Sequence, residues 1–348
     1  MSGIQLERRT RQLLHAVIQE FVRTGRPVGS RTLAKVHPDK LSPATIRNLM
    51  ADLEEMGLLQ QPHTSAGRIP TDRAYRLYVD SLDMNPRLDP GDRRLVNDAF
   101  RELDGNFDQV LERVSHFLSS LSHQIGVVLC GSIDRIDLRR MEFVALGNRR
   151  VLALFVSVSG MVSQKLLQLD EEIGQEDLDR VGRYLSDEFA GQSLRRIRER
   201  LLEMMAEEKA RYDQLLAQVL AVGNRFFEPT PSDSQVYVEG TANLVGQPDF
   251  PDLERMRALF RTFEEKGKVV QLLNRCVEGD GVAVRIGAEQ GDPELEGTSV
   301  IASPFFFQDR AVGTLGIIGP TRMEYARLIA MVDQISHLVS RHLTHAAE

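Results

Sequence analysis

The stretch LSPATIRNLMADLEEMGLL, residues 41–59, decides how the front of the chain folds. Ser42 is a strong helix N-cap, and Pro43 sits at the first helical position, where its missing N–H costs nothing. At about 100° per residue, Leu49, Met50 and Leu53 fall within about 60° of Ile46 and make a buried stripe. The other side carries Ala44, Asn48 and Ala51 at about 160°, 200° and 140°, with Arg47 at about 100°. Two alanines keep this side thin enough for a DNA major groove about 12 Å wide; Arg47 matches a guanine edge and Asn48 an adenine edge. Ser42 and the first amides of the helix suit a phosphate. Alone, the pattern also describes a surface helix with incidental polar residues.

Its neighbours decide between the two readings. Upstream, Leu14, Val17, Ile18 and Phe21 share one face of a helix over Thr10–Thr24, and Gly25 stops it. Ser30 is expected to cap a short helix over residues 31–36, before the turn HPDK. Downstream, Gly57 ends the central helix, and LLQQPHTSAGRIPT (residues 58–71) reads as extended chain around a tip at Pro62–Gly67. Three helices and a two-stranded tip are a winged helix-turn-helix pattern. His63, Thr64, Ser65 and Arg68 cluster around Gly67, where a tight turn reaches phosphates or an A·T-rich minor groove. A recognition helix followed by a basic, glycine-bearing tip indicates double-stranded DNA as a partner. The candidate contacts are Ser42, Ala44, Thr45, Arg47 and Asn48 on the helix, and His63, Thr64, Ser65 and Arg68 on the wing.

Composition agrees with this only on inspection of its distribution. The 348-residue chain carries a net charge of −7, which argues against a nucleic-acid binder. Residues 1–85, however, hold 12 Lys+Arg against 9 Asp+Glu, and the remainder 31 against 41. A mildly basic head on an acidic body indicates which end meets an anion. Only two cysteines occur, far apart, which excludes a disulfide framework and fits a reducing cytoplasm. No apolar run reaches the roughly 20 residues of a membrane span.

Behind the head, residues 1–85, the stretch SLDMNPRLDPGDRR (81–94) reads as a linker. A helical stretch follows, with Leu111, Val114, Leu118 and Leu121 on one stripe, then strands IGVVLC, RRMEFVALG, RVLALFVSVSG and MVSQKLLQL. Residues 86–174 and 231–348 are expected to form the two parts of one α+β domain, with 175–230 inserted between them. In the insertion, Leu194, Ile197, Leu201, Met204, Met205, Leu215, Val219 and Val222 form an apolar helical face, to be buried within the chain or against a second subunit. A helix near residues 252–277 precedes the strand GVAVRIG, and SVIASPFFF pairs with RAVGTLGIIG as a hairpin across Gln308–Asp309. Thr321 and Glu324 are expected to cap a last helix whose Leu328, Val332, Ile335, Leu338 and Val339 face the core. SPFFF fills a core or lines a pocket.

Catalysis finds no support. No Walker loop, GxGxxG, HExxH or GxSxG occurs, and His337, His342 and His345 lack a ligand set, so no metal or cofactor is expected.

RPVGSRTLA (26–34), the tract from Leu41 to Asp80, and AVGTLGIIGPTRMEYARLIAMVDQISHLVS (311–340) resemble the HrcA family of heat-inducible transcription repressors. The resemblance covers essentially the whole chain, is most specific over Ser42–Asp80 and least so over 170–240. It implies a cytoplasmic homodimer with a winged-helix head and a GAF-like domain carrying an inserted dimerising domain. It also implies an inverted-repeat operator before chaperone operons and dependence on the GroEL chaperonin. The alternative from a different class is a winged-helix regulator controlled by a small effector bound in the GAF-like domain.

Overall fold

The computed structural model describes residues 6–345 apart from 37–40, 64–65, 83–86, 102, 104–106, 131–136, 159–161, 207–218, 220–221, 224–225, 227–234, 245–246, 248, 250–252, 277–280 and 308–309. Thr64, Ser65, the HPDK turn, Leu215 and the Gln308–Asp309 turn lie outside the described residues.

The head comprises α1 (Arg8–Thr24), α2 (Ser30–Val36), α3 (Pro43–Glu55), β1 (Leu59–Gln60), β2 (Ile69–Pro70) and α4 (Asp72–Asp80). Its core is the expected one: Leu14, Val17 and Ile18 of α1 pack with Ile46, Met50 and Leu53 of α3, all buried. α2 begins one residue earlier than expected. Ser30 lies inside it, and the Gly29 carbonyl accepts the Thr32 and Leu33 amides. β1 and β2 pair antiparallel, and a bridge between Val28 and Arg68 adds a third segment to the wing.

The linker expectation holds only in part, because α5 already starts at Pro90 and runs to Arg101. Asp89 Oδ1 accepts the Gly91 and Asp92 amides, so Asp-Pro is a helix start with its cap rather than a break. α5 is fastened to the last helix, α11 (Tyr325–His345; intervening elements below), by Arg327, which grips both carboxylate oxygens of Asp92 at 2.6 and 2.9 Å. The Arg327 hydrogen bond holds the Asp92 carboxyl below the ordinary aspartate range; burial opposes this, and the Arg327 charge and Asp89 reinforce it. A carboxyl whose pKa falls on folding contributes stability above its unfolded pKa and loses it as pH drops through the folded value. The α5–α11 junction should therefore hold down to about pH 4 and loosen below it. In Asp92→Asn, the protection of the α5 amides at neutral pH, taken relative to the intrinsic exchange rate at each pH, should already match that of the wild type in acid. Unchanged exchange would show that the pair does not fasten the junction.

α6 (Phe107–Ser122) leads into β3 (Ile125–Cys130). Gly126 of β3 lies directly under α6: a Cβ there would overlap the Ser115 carbonyl. β3 joins β7 (Val236–Glu239), β8 (Ala283–Ile286), β9 (Thr298–Phe307) and β10 (Arg310–Pro320) in one antiparallel sheet of order β7-β3-β10-β9-β8. Strand alternation separates its faces. Val128, Ile301, Phe305, Leu315 and Ile317 pack toward α6 and α11. Ile125, Val127, Leu129, Val300, Ala302 and Ile318 meet Leu259 and Phe263 of α9 (Leu253–Glu264) and Leu272 and Leu273 of α10 (Lys266–Asn274). Of SPFFF, Phe305 and Phe307 are buried in the core and Phe306 is half-buried.

The expected capping box at Thr321 does not form. α11 opens at Tyr325, the Leu328 amide bonds the Glu324 carbonyl, and the Thr321 amide bonds Gly297 O instead. Holding Thr321 there leaves Met323 buried and Arg322 aimed at the head.

The other three expected strands form a sheet of their own, β4 (Leu138–Gly147), β5 (Arg150–Ser157) and β6 (Val162–Gln168). α7 (Gln175–Phe189) packs along β4, and α8 (Leu194–Ala206) follows. Gln175 and Ser186 of α7 also bond the Ala145 and Met141 amides along the outer edge of β4, closing it to further strands. Ile197, Leu201, Val219 and Val222 are fully buried within the chain, and Phe226 stacks on Phe155 at 6.3 Å. These four residues of the apolar helical stripe are thus used within the chain.

Candidate nucleic-acid interface

Ser42 caps α3 as its position requires: Oγ accepts the Thr45 amide at 3.1 Å and shares a hydrogen bond with Thr45 Oγ1 at 2.9 Å. The two hydroxyls thereby satisfy each other at the helix start. With Ile46, Met50 and Leu53 buried beneath, α3 turns Ala44, Thr45, Arg47 and Asn48 to the outside, and all four are exposed. Ala51 is half-buried beside them. The structure thus brings every described helix residue of the expected site onto one accessible surface.

The wing is arranged differently from the expectation in one respect. Arg68 does not extend outward. Its guanidinium turns back onto Glu54 of α3, with Nε and Nη2 at 2.8 and 2.7 Å from Oε2. Its backbone pairs with Val28 in both directions at 2.9 Å. Arg68 is therefore a brace between wing and recognition helix. Glu54 is the residue that sequence reading passed over; an acid fourteen positions away carries no local signal. His63 remains exposed on the tip, its carbonyl accepting the Ala66 amide at 2.8 Å, while Gln61 Nε2 holds the Ala66 carbonyl at 3.0 Å. Thr71 closes the wing by donating to Gly57 O at 2.9 Å and capping α4.

A second accessible surface lies on the body. On the open face of the β4-β5-β6 sheet an apolar ridge runs along β5 through Leu152, Leu154 and Val156, flanked on the outer strands by polar as well as apolar side chains. Val144, Leu152 and Leu166 stand in one cross-strand row, Arg140, Val156 and Val162 in another, and Glu142, Leu154 and Gln164 in the row between them. Leu166 is 58% exposed and Val162 55%, with Val144 and Leu146 also exposed. Exposed apolar side chains grouped on one face, with charged and amide groups among them, suit an interaction site.

Among the described residues, no group of His, Cys, Asp or Glu is placed to hold a metal ion, and no helix is long and apolar enough to cross a membrane.

Comparison with known proteins places these surfaces in context. A family model for the HrcA protein C terminal domain matches residues 108–329, and one for the HrcA DNA-binding, winged helix-turn-helix transcription repressor matches 5–82. The heat-inducible transcription repressor HrcA of Geobacter sulfurreducens is 44% identical over 338 residues, covering 97% of this chain and 98% of its own. Its counterpart in Syntrophobacter fumaroxidans is 40% identical over 344 residues, covering 99% of each. A solved structure, described as the crystal structure of a hypothetical protein at 2.2 Å resolution, shares the fold with a TM-score of 0.62 at 22% identity, over 99% of this chain and 100% of that one.

Proposed function

The chain belongs to the HrcA family of heat-inducible transcription repressors, and from that premise we propose that it acts in the cytoplasm as a homodimer that reads an inverted-repeat operator before chaperone operons. The observation that carries this reading is the exposed surface of Ala44, Thr45, Arg47 and Asn48, set on a capped helix and braced to its wing. Arg47 and Asn48 are the base readers, and Ser42, Thr45, His63, Thr64 and Ser65 approach the phosphates or the minor groove. Arg68 acts through Glu54 by holding the wing in register.

One head reaches few bases, so two heads on a two-fold axis are the ordinary route to adequate specificity. The open face of the β4-β5-β6 sheet is the surface for the second copy, in place of the helical stripe over residues 194–222. On this reading the inserted dimerising unit opens with β4, near residue 137, rather than at 175. Family membership also supports control by the GroEL chaperonin, whose occupation by misfolded protein would leave the repressor inactive.

Fluorescence anisotropy tests these statements, with the full chain on an inverted-repeat duplex and a scrambled one, at two salt concentrations because affinity depends on salt. Preference for the inverted repeat that strengthens with GroEL is the expected result. Preference indifferent to GroEL would remove the chaperonin from the mechanism, and no preference at all would return the effector-controlled reading. In the same assay, Arg47→Ala should weaken operator binding by about 1–3 kcal/mol and relax preference at one base position. Equal weakening on scrambled DNA would instead assign Arg47 to the phosphates.

A further inference from the structure

The head is joined to the body by more than the chain running through residues 81–89. On α4, Arg76 reaches across to the 3-10 turn Gly287–Gln290. Its Nε and Nη2 bond the two carboxylate oxygens of Glu289 at 2.8 and 2.5 Å, and Nη2 also bonds Val284 O at 2.6 Å. Asp72, at the start of the same helix, accepts the Ala288 amide at 3.1 Å, and it fills the space a Cβ on Gly287 would take. A second leg runs the other way. Arg322 of the body donates through Nη1 to the Val22 carbonyl at the end of α1 at 3.0 Å, while Asp249 holds its Nε and Nη2 at 2.9 and 2.6 Å. Between the legs Tyr75 of α4 packs on Tyr325 of α11, ring centroids 5.7 Å apart, both buried.

The chemistry of the legs is selective. Arg76 and Arg322 each make a two-point grip on a carboxylate and a bond to a backbone carbonyl. That combination fixes direction as well as distance. The rings between them add a buried apolar contact. A single surface ion pair would not hold a domain in place, but two forked pairs flanking an aromatic contact form a rigid mount.

The placement matters for DNA. All these contacts use α4 and the C-terminal end of α1, and none covers Ala44, Thr45, Arg47 or Asn48, which stay exposed while the head is docked. Docking therefore does not shield the reading surface. It fixes where that surface points.

We propose that Arg76 and Arg322 are positioning residues for operator binding: with Glu289, Asp249 and the Val22 carbonyl they lock each head to its body, so that a dimer presents its two recognition helices at one separation and one rotation. This rests on the dimeric, inverted-repeat reading given above. The lock contributes nothing to what a single head reads; it decides which half-site spacing the pair accepts.

The test uses the full-length chain and an inverted-repeat duplex recovered by selection from random-sequence DNA on that chain. Two further probes are its half-site alone and versions with two base pairs added or removed between half-sites, about 70° of helical turn. Two double variants open both legs. Arg76→Met with Arg322→Met acts from both sides, whereas Glu289→Gln with Arg322→Met leaves every head residue in place and lets Gln keep the Ile286 amide bond. For both, half-site affinity should match the wild type, affinity for the selected duplex should fall on the order of tenfold, and the penalty for altered spacing should largely vanish. Wild-type spacing dependence retained in both variants would overturn the lock while leaving the dimeric operator intact. A wild-type chain that binds the half-site as tightly as the inverted repeat would overturn the dimeric reading, and the lock with it.

Discussion

Leu166→Arg combined with Val162→Arg should turn the protein into a monomer and lower its affinity for an inverted-repeat operator by on the order of 100- to 1,000-fold, while leaving half-site binding unchanged. Both side chains are more than half exposed on the open face of the β4-β5-β6 sheet, so the substitutions meet nothing within the chain. The fold should therefore survive, and thermal unfolding of the variant at low concentration should match that of the wild type. The cost falls on association alone. In a symmetric contact each substitution counts twice, and four guanidinium groups would have to be desolvated without partners. The loss on DNA follows because a linked second head binds at an effective concentration that a free monomer cannot match. Sedimentation equilibrium gives the mass and anisotropy the affinity. A variant that remains a full dimer would place the two-fold contact elsewhere, and a wild-type monomer would remove it altogether.

The second large effect is expected at Gly67. Its residue type suggests a tight turn at the wing tip, but its φ is not in the left-handed region, and the need for glycine is one of space. A Cβ there would overlap the Val28 carbonyl oxygen and lie 2.5 Å from its carbon and 2.8 Å from that of Pro27. These are backbone atoms, and the two hydrogen bonds between Val28 and Arg68 hold them in place. Neither side can yield without detaching the wing from the chain that enters α2. Gly67→Ala should destabilise the head by about 3 kcal/mol, and Gly67→Val by more. Because the wing and Arg68 come loose together, binding to operator and to random DNA should both weaken, unlike the base-selective loss at Arg47. Calorimetry of the full chain would show the head melting earlier. A Gly67→Ala protein with unaltered melting and binding would mean that the wing does not pack as described.

Much of the head was legible because its signals are local. Ser42, Pro43 and Gly57 bound α3 through contacts spanning a few residues, and the stripe of Ile46, Met50 and Leu53 follows from the helical period alone. The exposed positions Ala44, Arg47 and Asn48 are the complement of that stripe, so the candidate site followed from it. Arg68 shows where this ends. A basic residue beside a wing tip reads as a DNA contact until the fold places Glu54 at 2.8 Å from it. The prolines of residues 81–94 misled for a related reason, since Asp89-Pro90 can break a chain or start a helix, and only what α5 packs against decides.

By itself, then, the sequence determined the winged-helix head, its candidate reading surface, the existence of nearly every strand and the family to which the chain belongs. Tertiary structure alone decided which sheet each strand enters, which apolar faces are used within the chain and which stays exposed, and how the head is mounted. A strand's alternation records that one face is buried, not what buries it, because any backbone edge offers the same hydrogen bonds. IGVVLC and RRMEFVALG both read as strands, yet β3 enters the five-stranded sheet and β4 a sheet of its own. The stripe over residues 194–222 could also have faced a second subunit, and only the fold shows Ile197, Leu201, Val219 and Val222 buried within the chain.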